Sequence, residues 1–88
     1  MSETYQHQLK RLKMRSMRRG IKEMDIILSH FADTQLADLG ADDLVVYDAL
    51  LSENDHDLYA WVTGTAAVPV KFSPMIGLIS AQMAKKPK

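Results

Sequence analysis

The sequence predicts an all-α fold, a compact bundle of about five short helices, on three observations. Apolar residues recur at three- and four-residue spacings through most of the chain. Glycine, proline and clusters of Asp, Ser and Asn cut it into segments of helix length. The stretch with several β-branched residues, 65–72, has no second strand to pair with and is expected to be an extended connector.

Each element follows in order. A first helix is expected at about 3–18, with Leu9, Leu12 and Met17 as a broken apolar stripe and a largely charged remainder. Gly20 interrupts it. The second helix, about 21–33, carries Ile21, Met24, Ile27, Leu28 and Phe31 on one face. Asp33, Thr34 and Gly40 punctuate a short helical turn holding Leu36 and Leu39. A third helix, about 41–51, starts with Asp42 and Asp43 against its N-terminal dipole and turns Leu44, Tyr47, Leu50 and Leu51 inward. Asn54 or Asp55 should cap a short fourth helix, with Leu58, Trp61 and Val62 on its inner face and Gly64 as its left-handed stop. Trp61 is expected to be the aromatic anchor of the core, and Tyr59 to lie at the surface. Ser73 and Pro74 read as a cap and first-turn proline for a fifth helix to about 84, uncharged from Phe72 to Met83. That gives one helical domain over 1–84 and a basic KKPK tail, 85–88, expected to fray.

Composition narrows the function. Eighty-eight residues, 47% apolar and 25% charged, suit one small globular domain with a thin core and little room for a deep catalytic cleft. With no cysteine, thiol chemistry and thiolate metal sites are excluded. No run of about 18 apolar residues would insert in a membrane, and the basic start, containing Glu3, reads as mature protein rather than a transit peptide. A soluble intracellular protein is expected.

The formal charge is zero but strongly segregated. Residues 1–22 hold Lys10, Arg11, Lys13, Arg15, Arg18, Arg19 and Lys22 against Glu3, a net +6. Residues 23–57 hold ten acids and no Lys or Arg. A protein partner could be oriented by such a distribution. Nucleic acid fits poorly, because phosphate binding needs a contiguous positive surface and the basic segment is followed by those ten acids.

Chemistry-bearing motifs are sparse. His7, His30 and His56 have no metal-ligand spacing, so no metal is expected. The serines lack a nucleophile context and the four glycines form no phosphate-binding pattern, so the chain is not expected to be an enzyme. The informative stretch is RSMRRGIKEMDIIL, Arg15 to Leu28. Helix ends explain it structurally: cations at one C-terminus, Glu23 in the next first turn, and Gly20 supplying freedom for a sharp turn. At about 100° per residue, Glu23 and Asp25 fall on opposite sides of Met24, so they form no acid–base pair. Arg19, Gly20 and Glu23 remain as a candidate surface patch, with Asp25 expected to make a structural contact.

That stretch, an acidic helix ending in DALLS, and DHDLYAWVTG together resemble the succinate dehydrogenase assembly factor 2 family. Its R-G-x-x-E segment, with Asp two residues on, is matched by Arg19, Gly20, Glu23 and Asp25; its D-L-x-x-W helix by Asp57, Leu58 and Trp61. The similarity covers roughly residues 8–68, and residues 69–88 match poorly. It implies a five-helix, chaperone-like factor that binds the flavoprotein subunit of succinate dehydrogenase, in some members also that of fumarate reductase, and promotes covalent FAD attachment. FAD would belong to the partner, with no cofactor held stably by this chain. Arg19, Gly20, Glu23 and Asp25 would be partner-binding residues, in a bacterial, cytoplasmic member. Two rival classes are an antitoxin-like regulator neutralising a toxin protein and a DNA-binding helix–turn–helix module.

Overall fold

Thr4 opens the first helix, its hydroxyl accepting a hydrogen bond from the His7 amide. In the computed structural model, which describes residues 3–84, five helices follow: α1 Tyr5–Arg15, α2 Lys22–Gln35, α3 Ala41–Leu50, α4 Asp55–Val62 and α5 Ser73–Ala84. Single 3-10 turns at Leu36–Asp38 and Val70–Phe72 lead into the loop before α3 and into α5. No strand occurs among the described residues; the stretch expected to be an extended connector bends at 65–66, is irregular at 67–69 and ends in the 3-10 turn Val70–Phe72. The expected tail, 85–88, lies outside the described residues.

Most boundaries fall within two residues of expectation. The exception is α1, which stops at Arg15 rather than 18. Ser16 is fully buried at its end, its hydroxyl donating to the Leu12 carbonyl and sharing a 2.6 Å hydrogen bond with the Tyr47 phenol. This tether turns the chain, and Met17, assigned by periodicity to the inner stripe, is left 47% exposed beyond the helix. At the other helix ends, Asn54 caps α4 by accepting from His56, and Gly64 takes the left-handed conformation (φ 80°). Ser73 is already helical, because the 3-10 turn before it delivers the chain into α5 without a capping residue.

Met24, Leu28, Phe31 and Ala32 of α2 form the centre of the core, against Leu12, Leu44, Tyr47, Leu50, Leu58, Val62, Met75, Ile76 and Ile79. Phe31 and Tyr47 are its aromatic pair, centroids 5.6 Å apart. Trp61 is only half-buried, leaning on Phe72 at 5.9 Å, while Leu58 and Val62 are the residues that α4 buries. The uncharged α5 is mainly packing: Met75, Ile76 and Ile79 are buried and Leu78 faces out.

Folding also resolves the segregated charge. Arg11 and Arg15 of α1 both hold Asp48 of α3, Lys13 meets Asp33, and Arg19 meets Asp55. Basic and acidic segments are thus laid against each other, and Arg11, Arg15 and Arg19 are taken up by acids of the same chain. The Arg11 guanidinium, also bound to Glu3, holds the Asp48 and Glu3 carboxyls below their usual range. Their contribution to stability is therefore present above the ordinary carboxylate range and fades as pH falls into it.

Tyr47 provides the sharpest test of the core. Burial pushes its phenol from 10.0 up to about 12. Stability from keeping it neutral is thus intact below pH 10 and lost as pH climbs toward 12. Replacing Tyr47 by Phe should cost about 1 kcal/mol, the value of one lost hydrogen bond. Urea unfolding followed by circular dichroism measures the cost, and the wild-type loss between those pH values should diminish in Tyr47→Phe.

Candidate functional site

The six residues between α1 and α2 form the corner that the sequence singled out. Its shape is set by a carboxylate far away in the chain. Asp55, first residue of α4, accepts from the backbone amide of Gly20 through Oδ2. Through Oδ1 it accepts from Arg19 Nε at 2.9 Å and Nη2 at 2.7 Å. The same guanidinium donates to the Arg15 carbonyl at 2.9 Å and to the Leu51 carbonyl at 3.1 Å. One arginine therefore satisfies the last carbonyl of α1, a carbonyl at the end of α3 and the first-turn acid of α4. Its side chain is 12% exposed and that of Asp55 13%, so the pair is largely withdrawn from water.

Gly20 is needed for a reason other than the one expected. The left-handed residue of the corner is Arg18, at φ 56°, while Gly20 is not in that region. Instead, a Cβ on Gly20 would stand 3.0 Å from Asp55 Oδ2. The glycine lets the carboxylate reach the backbone.

Asp25 completes the corner from α2. Oδ1 accepts from the Arg18 amide at 3.0 Å and from the Ser29 hydroxyl at 3.2 Å, the structural contact expected of it. Glu23, on the other side of α2, is exposed, and among the described residues its carboxylate has no hydrogen-bond or ion-pair partner. The predicted set is brought together in sequence space but divided in role: Arg19, Gly20 and Asp25 hold the turn, and Glu23 projects from it. Beside Glu23, the residue that precedes α2, Ile21, provides no side-chain cap for the first amides of the helix.

Asp55 is the site residue that sequence reading passed over as a possible cap. Its acidic first-turn position was visible; its pairing with a residue 36 positions away was not. The three histidines lie apart: His7 and His56 are exposed, and His30 Nε2 lies 3.0 Å from the Gln82 side-chain amide on α5. No group of three or more His, Cys, Asp or Glu able to hold a metal occurs among the described residues. No helix there is long and apolar enough to cross a membrane.

The site is thus a clamped turn on a small helical bundle, with an exposed acid beside it. Residues 10–83 match Sdh5, the flavinator of succinate dehydrogenase, and the chain belongs to that family. It is 47% identical over 64 residues to the Penicillium rubens protein named succinate dehydrogenase assembly factor 2, mitochondrial, covering 73% of this chain and 20% of that one. With the protein of the same name from Schizosaccharomyces pombe, identity is 41% over 70 residues, 80% of this chain and 50% of the relative. With that from Drosophila grimshawi it is 36% over 77 residues, 85% and 52%. The chain thus spans about half or less of the length of these relatives. They are named for assembly rather than for a reaction of their own, and for mitochondria, not for a bacterial cytoplasm. An antitoxin role gains no support from them.

Two substitutions separate clamp from surface. Asp55→Ala should destabilise the fold by about 3 kcal/mol, since it strands a largely buried guanidinium. Gly20→Ala should cost about 1 kcal/mol, because Asp55 is held by Arg19 and cannot retreat cheaply from the new methyl. Chemical denaturation of each variant checks both values.

Proposed function

We propose that this chain is an assembly factor that binds the flavoprotein subunit of succinate dehydrogenase and promotes covalent attachment of FAD to it. The reading rests on family membership and on one structural observation. Glu23 is exposed and, among the described residues, unpaired on the rim of a turn whose Arg19 and Asp25 side chains are committed internally. Glu23 is the direct contact, making charge-assisted hydrogen bonds to the partner. Gly20 lies exposed beside it and permits close approach. Arg19 and Asp25 act by fixing the turn. A rigid rim makes such a contact effective, because little conformational freedom is lost when the partner docks.

FAD belongs to the partner in this reading, and the partner with its FAD carries the chemistry. The glycines of this chain lie apart, at positions 20, 40, 64 and 77, and build no dinucleotide cradle. The flavoprotein of fumarate reductase is a second client of the same surface. The chain works wherever its client matures; a bacterial cytoplasmic setting is the finer reading, which fractionation of source cells tests.

Glu23→Ala should retain the wild-type helical signal and melting temperature while losing about tenfold or more in affinity for the flavoprotein subunit, the scale of a lost charged hydrogen bond. Gly20→Arg should block docking more completely. Pull-down of the flavoprotein, followed by in-gel flavin fluorescence with and without this chain, reads both. No retained flavoprotein and no change in fluorescence with the wild-type chain would overturn the proposal.

A further inference from the structure

The corner has a second face that the Glu23 rim leaves unused. Met14, Met17 and Arg18 line a shallow hollow of about 110 Å³. Three side chains line it and it opens to solvent, so it would receive no more than the tip of one side chain. Met14 is 65% exposed and Met17 47% exposed, two flexible thioethers at the surface of a protein with a thin core.

Arg18 adds a second, independent observation. It is the one non-glycine residue at positive φ among the described residues. A glycine would hold φ 56° without the steric penalty that an arginine Cβ incurs. Asp25 secures the strained backbone through the Arg18 amide. Among the described residues the Arg18 guanidinium has no acid partner, unlike those of Arg11, Arg15 and Arg19. The strain therefore fixes a free cation at the mouth of an apolar hollow.

The surrounding charge is predominantly positive. Lys10 and Lys13 precede Met14 and Met17 by four residues, and Lys22 opens α2; all three are exposed. Against them stand Asp25, occupied by the Arg18 amide and Ser29, and Asp33, exposed and 3.5 Å from Lys13. An exposed pair of that kind is weak and leaves Lys13 available.

We propose that this hollow is a second contact for the flavoprotein partner, resting on the docking function inferred above. It receives the tip of one apolar side chain from an acidic segment of the partner, and a carboxylate of that segment pairs with Arg18. The apolar insertion supplies affinity and the surrounding lysines steer the acidic segment toward it. Arg18 is thus retained at a backbone position suited to glycine because its side chain is used in binding, a familiar exchange of stability for function.

The purified flavoprotein subunit of succinate dehydrogenase serves as the probe, titrated against wild type, Arg18→Gly, Met14→Ser/Met17→Ser and Glu23→Ala at low and high salt. Arg18→Gly should melt at the same or a higher temperature, because the left-handed strain is relieved, yet bind about tenfold more weakly. The gap from wild type should shrink at high salt as the ion pair is screened. The double methionine variant, whose altered side chains lie outside the core, should keep its melting temperature and also bind about tenfold more weakly. Wild-type affinity in both Arg18→Gly and the double variant, with Glu23→Ala weakened, would overturn the second contact and leave the first standing. Failure of wild type to bind the subunit would overturn both.

Discussion

The Asp55 carboxylate is the constraint on which the corner depends. It joins the backbone of Gly20, the guanidinium of Arg19 and the start of α4 in one largely buried contact. Removing two charges from water is costly, and here the cost is offset by five hydrogen bonds distributed over the pair and by the N-terminal dipole of α4. The arrangement connects three helix ends: α1 through the Arg15 carbonyl, α3 through the Leu51 carbonyl and α4 through Asp55 itself. It also explains why the corner can be tight without being loose: glycine gives access to the carboxylate, and the carboxylate holds the glycine.

The same logic runs along α1. A helix with only Leu12 fully buried has little hydrophobic attachment of its own. It is held instead by polar contacts at regular intervals, from Arg11 and Arg15 on Asp48 to the buried Ser16–Tyr47 hydrogen bond. Individually the exposed ion pairs contribute little. Their value is registry, since several contacts must form together for α1 to end at Arg15 and turn toward Asp55.

Function follows from what this network leaves over. The guanidinium of Arg19 cannot both make four hydrogen bonds and reach freely outward, whereas the exposed Glu23 and Arg18 side chains meet no opposite charge among the described residues. A member of the Sdh5 family would thus present a partner with a pre-shaped rim of one acid, one base and exposed backbone. The bundle supplies the packed support behind the rim.

Local pattern carried most of the fold. Three- and four-residue apolar spacing located α2, α3 and the turn after α2, while Asn54 and Gly64 marked both ends of α4, because these are properties of neighbouring residues. The divergence of Glu23 and Asp25 was likewise legible, being fixed by the helical angle alone. What needed the tertiary structure were contacts between distant residues. The true end of α1 depends on Tyr47 meeting Ser16, the role of Gly20 on Asp55 arriving 35 positions later, and the exposure of Met17 on both. Trp61 ranked first among core aromatics by size but lost to Tyr47, whose ring meets Phe31 of α2 and whose phenol meets buried Ser16. A sequence records which groups need partners; only the packed chain decides which partners lie within hydrogen-bond reach, and therefore which charges are spent inside and which remain for another protein.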